Sequence, residues 1–178
     1  MGWTSYHAVH YTKSGSVDRK KECDSYISKY CAGELLRAVM YGAVYYAAVK
    51  MPSLDVIGVV ILTTTDKKNY CNISIKVISE DMGPCYYDCP QSILELLSPT
   101  VNEWARSWRD KCYSHNEKRK TIQKLKLGST ILVDDVRYVK SIPFGHKKSY
   151  WIKAGTQTYL PIGAIIDKGY AVIEEGIV

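Results

Sequence analysis

Tyr6, His7, His10 and Tyr11 lie together near the start of the chain, and Lys13, Arg19, Lys20 and Lys21 follow closely. These are the residue types that metal-independent RNA cleavage needs. In that reaction a 2′-hydroxyl attacks the neighbouring phosphate. A general base takes its proton, a general acid protonates the leaving oxygen, and a cation or phenol stabilises the phosphorane. Imidazole titrates near neutral pH and can fill either proton-transfer role. His7, His10, Tyr6 and Tyr11 are therefore the candidate catalytic set. Lys13, Arg19, Lys20, Lys21, Arg109, Lys118, Arg119 and Lys120 are the candidate RNA-binding set. The competing reading makes either histidine an ordinary hydrogen-bonded core or surface residue, since a density of useful types is not geometry.

Other chemistries fit less well. His7-x-x-His10 and Cys85-x-x-x-Cys89 supply nitrogen and sulfur, but two histidines three apart on a strand point to opposite faces, which is wrong for one zinc ion. Glu80, Asp81, Asp88, Asp134 and Asp135 offer carboxylates for divalent ions, yet they sit in turn-forming stretches where acids are common. The sequence has no phosphate-binding loop, dinucleotide fingerprint, HExxH or nucleophile elbow. No metal, cofactor or small-molecule ligand is expected.

The stretch Trp3–Thr12 must position the opening residues. Read as a strand, it puts Trp3, Ser5, His7, Val9 and Tyr11 on one face and Thr4, Tyr6, Ala8, His10 and Thr12 on the other. Such a strand is expected to be covered in part on both sides, with one imidazole at most at any single site. Asp18 is an N-cap for a helix to about Tyr30, with Cys23, Tyr26, Ile27 and Tyr30 facing a core. Arg19, Lys20 and Lys21 in its first turn oppose the helix dipole, a conflict that a bound anion would relieve.

Further along, Leu35–Met51 reads as one extended or bulged strand containing Gly42. Asp55–Thr65 is the most apolar and is expected at the centre of a sheet, and Tyr70–Ser79 follows with alternating apolar residues. Gln91–Leu97 reads as a helix after Pro90. Thr100–Glu103 reads as a capping box for a second helix to about Lys118, with Trp104 and Trp108 facing inward. From Leu127 onward short strands alternate with turns. The pattern predicts an α+β protein: residues 1–122 form an antiparallel β-meander with an added N-terminal strand and packed helices, those helices lying on one face, and residues 123–178 form a small β-barrel-like or hairpin subdomain. His115 and His146 are expected at the surface, and Phe144–Lys148 is a candidate phosphate-contacting loop.

Composition narrows the class. Fifteen tyrosines and four tryptophans accompany a single phenylalanine, and the net charge is +6. Tyr and Trp suit interfaces and base stacking, although a β-rich core uses them too. Residues 103–126 carry 8 Lys/Arg against 3 Asp/Glu, whereas residues 51–102 carry 3 against 6. This asymmetry suits a polyanion partner, and equally a solvated helix face. No apolar run is long enough to cross a bilayer, and the N-terminus has no secretory pattern. With six cysteines, these features predict a cytoplasmic protein with reduced thiols.

Gly2–Ala8, Asp18–Cys23, Tyr45–Val49, Met82-Gly83-Pro84, Asp88-Cys89-Pro90 and Trp108-Arg109 together resemble a family of small proteins of bacterial phages, plasmids and integrative elements. The chain also resembles the mobile-element inhibitors of type II CRISPR immunity, including those that act by truncating the guide RNA. The likeness runs from Gly2 to Arg109 and leaves the C-terminal strands aside. It implies an anti-CRISPR protein of the bacterial host cytoplasm, with a CRISPR effector nuclease and its guide RNA as partners and guide truncation as a possible ribonuclease activity. A non-catalytic inhibitor blocking guide loading or DNA binding, or an antirestriction-type binding protein, is the alternative. The family supplies no catalytic motif, so the site residues rest on their chemistry.

Overall fold

The computed structural model describes residues 2–66 and 71–176, and shows an α+β chain in two compact units that divide between Tyr113 and Ser114. The opening strand is short: β1 is Thr4–His7. Helix α1 (Arg19–Tyr30) begins where the cap predicted it, with the Asp18 side chain accepting from the Lys21 amide. Then come β2 (Glu34–Tyr41), β3 (Val44–Lys50), β4 (Val56–Thr65) and β5 (Asn72–Ser79). They form one antiparallel sheet in the order β1-β5-β4-β3-β2 with β4 central, as its apolar run predicted. The expected single strand from Leu35 to Met51 is instead a hairpin. Gly42 lies inside its turn with φ +56, a conformation that costs glycine little. Tyr70 and most of the predicted Asp66–Asn69 turn lie outside the described residues.

Tyr45 and Tyr46 on β3 explain the layering. Adjacent strand residues point to opposite faces, and both tyrosines are fully buried. Tyr45 packs with Cys23 and Ile27 of α1, and its hydroxyl donates to Asp24 at 2.6 Å. Tyr46 packs with Ile93 and Trp108 on the opposite side, and its hydroxyl donates to Asp88. Helices therefore cover both faces, not one as the sequence suggested, and β3 and β4, not β1, are buried on both sides.

Helix α2 (Gln91–Leu94) is shorter than expected, and α3 (Glu103–Lys124) runs longer. Asn102, not Thr100, caps α3: its side chain accepts from the Ala105 amide at 3.0 Å. Trp108 is buried with its indole N–H donating to the Tyr86 carbonyl, whereas Trp104 is 69 % exposed. Tyr30, expected inward, is also mostly exposed. Both aromatics were placed inward by a helical period that does not say where the covered arc ends.

The second unit contains the end of α3, a five-stranded antiparallel sheet and one more helix. Its strands are β6 (Thr130–Val133), β7 (Val136–Ser141), β8 (Tyr150–Lys153), β9 (Tyr159–Leu160) and β10 (Ala171–Glu174), in the order β10-β6-β7-β8-β9. Asp134 and Asp135 both have positive φ, which is what a two-residue β6–β7 turn requires. Helix α4 (Ile162–Lys168) carries the chain back to β10. Ile122, Ile131, Val133, Trp151, Ile165 and Ile166 form the core. Lys140 of β7 donates to the Gln123 and Leu125 carbonyls at the end of α3, and burial lowers its pKa. No helix among the described residues is long and apolar enough to cross a membrane.

Candidate functional site

The opening residues are arranged around one buried carboxylate that composition alone does not single out. Glu22 is 2 % exposed, and its Oε1 accepts the amides of Val9 and His10 at 2.6 Å each. The same oxygen lies 3.2 Å from His10 Nδ1. The chain leaves β1 at His7, Ala8 stays paired to the Cys71 carbonyl, and Val9–His10 then turn away from the sheet onto α1. Two amides that would otherwise lack a sheet partner are satisfied by a side chain. Tyr6 stands beside Glu22. Burial, then the Glu22 charge, pushes its phenol pKa well above the ordinary tyrosine value.

Glu22 also separates the two histidines. His10 lies past the end of β1, so the expected alternation of a single long strand does not apply to it. Its imidazole and amide are both held by Glu22. Tyr11 donates to the Ala8 carbonyl at 2.8 Å, closing a local loop. His7 is exposed and lines a cleft of about 290 Å³ between β1 and α1, together with Tyr6, Glu22, Tyr26, Lys29 and Tyr30. The Tyr26 and Tyr30 ring centroids are 4.8 Å apart, and Lys29 Nζ lies 5.2 Å from the Tyr30 ring centroid. The structure thus brings Tyr6 and His7 into one cleft and leaves His10 and Tyr11 outside its lining. Glu22, Tyr26, Lys29 and Tyr30 are lining residues that sequence reasoning did not assign to a site. An acid directly after three cations in a helix's first turn was the available signal for Glu22.

The candidate cations are dispersed. Lys13 is exposed in the turn after Tyr11. Lys20 pairs with Asp24 at 2.8 Å, and Lys21 lies 4.0 Å from Asp18. With Glu22 in the same turn, these acids relieve the conflict with the helix dipole without a bound anion. Arg109 is 13 % exposed and holds Glu80 in a fork, its Nε and Nη2 each 2.7 Å from a carboxylate oxygen, while Nη1 donates to the Ser98 carbonyl. Glu80 also accepts from the Gly58 amide at 3.1 Å. This buried network joins α3 to β4, and the Arg109 guanidinium faces it instead of a surface ligand. Lys118, Arg119 and Lys120 lie on the α3 segment of the second unit, where Lys120 pairs with Glu117. His115 is buried, contrary to its expected exposure.

Cys89 and Cys112 are buried in the core behind Trp108, and Cys85 is exposed. No group of three or more metal-ligating side chains converges among the described residues. Comparison with family models, curated proteins and solved structures gives no match.

Proposed function

We propose that the protein is an anti-CRISPR protein of a mobile genetic element that acts in the host cytoplasm by engaging the guide RNA of a type II effector complex. The CRISPR-directed part of this reading rests on the resemblance between Gly2 and Arg109. The single structural observation that supports RNA engagement is the β1–α1 cleft, where an exposed imidazole, an ammonium and a pair of tyrosine rings share one concave surface. At about 290 Å³ it lies near the lower end of the ~300–1,000 Å³ range of ligand sites, a size for one unstacked base. Tyr30 offers the ring face, Lys29 the phosphate partner and His7 a hydrogen-bonding edge.

Within that reading, occlusion is better supported than guide truncation. General acid–base cleavage needs two proton-transfer groups at one phosphate. His10 is bound to Glu22, burial and the Glu22 charge make the Tyr6 phenol a weaker proton donor than an ordinary tyrosine, and Tyr11 donates to a backbone carbonyl. Of the four candidate catalytic residues, His7 is the one left exposed in the cleft. The test incubates the protein with effector and end-labelled guide RNA in chelator, then assays DNA cleavage. Loss of cleavage with intact guide is the expected result, reduced by Lys29→Ala and Tyr30→Ala. Guide shortened in chelator and restored to full length by His7→Ala would establish truncation in its place. An effector that keeps full activity with the protein present would overturn the reading.

A further inference from the structure

The second unit carries a surface that the cleft does not explain. Its loop between β7 and β8 presents the chain's single phenylalanine entirely to solvent: Phe144 is 104 % exposed. The His146 amide donates to the Pro143 carbonyl at 3.0 Å, and Gly145 has φ +78. This is a turn with glycine at its left-handed third position, which sets Phe144 at the tip. A fully exposed phenylalanine contributes nothing to this unit's core, and its ring is available to a partner.

Two concave regions flank a ridge beside this turn. One measures about 750 Å³ and the other about 580 Å³, and Tyr150 and Tyr159 line both. The two rings are 5.6 Å apart at their centroids, and His146 stands edge-on to Tyr150 at 5.4 Å. Lys147 and Lys148 are on the wall of the larger region, with no ion pair among the described residues. No aspartate or glutamate lines either region. The unit as a whole carries 11 Lys/Arg against 6 Asp/Glu, whereas residues 1–113 carry 13 against 12.

We propose that the β7–β8 loop and the Tyr150–Tyr159 ridge form a binding site for single-stranded nucleic acid. Bases stack on Phe144 and on the ridge, and Lys147 and Lys148 contact the intervening phosphates. Uncharged ring faces with cations beside them and no carboxylate match a strand of alternating bases and phosphates. A proline-rich peptide would use the rings but not the lysines, and an acidic peptide the lysines but not the rings. Duplex would keep its bases stacked away from Phe144. The site lies wholly within residues 114–178 and does not depend on the cleft or on a CRISPR partner.

The test measures fluorescence anisotropy of labelled oligouridylate and oligothymidylate twelvemers with the full chain. A duplex of equal length, polyglutamate and a proline-rich peptide serve as competitors. Binding of a single strand that weakens with salt is expected. Phe144→Ala and Tyr159→Ala should each weaken it about tenfold, and Lys147→Ala/Lys148→Ala should flatten the salt dependence. In a Tyr30→Ala background, which removes the ring face of the cleft, Phe144→Ala should still weaken the binding about tenfold, so failure here and failure of the cleft reading are distinguishable. Equal competition by duplex or polyglutamate, preferential competition by the proline-rich peptide, or normal binding by a folded Phe144→Ala variant would overturn the proposal.

Discussion

The two units treat the same kinds of side chain in opposite ways. In the first, acids, tyrosines and the one well-placed arginine are turned inward and joined: Glu22 to the Val9 and His10 amides, Glu80 to Arg109, Tyr45 to Asp24 and Tyr46 to Asp88. In the second, Phe144, Lys147, Lys148 and Tyr159 are left at the surface around a small core of aliphatic residues and Trp151. Polar residues that look reactive in a sequence can be structural ties when a sheet is covered on both faces. The less conspicuous unit holds the more available chemistry.

The sharpest break of this contrast is at the Glu80–Arg109 fork. Arg109→Ala leaves a carboxylate buried without its counter-charge, and should cost about 3–5 kcal/mol in urea denaturation. Lys147→Ala, at the surface of the other unit, should stay within about 0.5 kcal/mol of the parent. A small loss at Arg109 would show that water reaches Glu80, and would remove the basis for calling the fork structural.

Alkaline pH tests the first unit's buried thiols. Burial pushes the pKa of Cys23 and of Cys112 from 9.0 up to about 12. The unfolded thiols ionise above pH 9 while the folded ones stay neutral, so their contribution is complete below 9 and is lost as pH rises towards 12. A Cys112→Ala variant should show a shallower fall in stability across that window. With a thiol reagent at pH 8, Cys71 and Cys85 should label first, and Cys23, Cys89 and Cys112 only on unfolding.

The two buried tryptophans give a smaller contrast. Trp108 donates to the Tyr86 carbonyl, while the Trp151 indole N–H has no acceptor among the described residues. Trp108→Phe should therefore cost about 1 kcal/mol more than Trp151→Phe. Equal costs would show that Trp151 has an acceptor in solution. Smallest in stability is Phe144→Ala, expected within about 0.5 kcal/mol of the parent by thermal denaturation.

Much of the fold could be read from patterns that repeat along the chain. The apolar run of β4 announced the central strand, and Asp18 announced the start of α1. Features set by tertiary packing could not be read. Gly42 within an apolar stretch looked like a bulge and is a hairpin turn. Helix α4 is too short to be stable by propensity, and depends on burying Ile165 and Ile166. At the candidate site, Tyr6 and His7 were legible as chemically useful, but His10 was placed by extending β1 beyond its end. Nothing in the spacing of Arg109 distinguishes a surface cation from one meeting Glu80, which lies 29 positions away. The Phe144–Lys148 loop was visible as a basic segment, but the ridge behind it required the pairing of β8 with β9 to bring Tyr159 beside Tyr150.

The Glu22 attachment also sets which motions reach the first ten residues. Backbone pairing protects Tyr6 through β5, but Val9 and His10 are protected by a side chain of α1. Their amide hydrogens should thus exchange when the helix turn bearing Glu22 moves, without waiting for the sheet to open. Exchange at these two amides becomes a local clock for the opening of the β1–α1 cleft, separable from global unfolding.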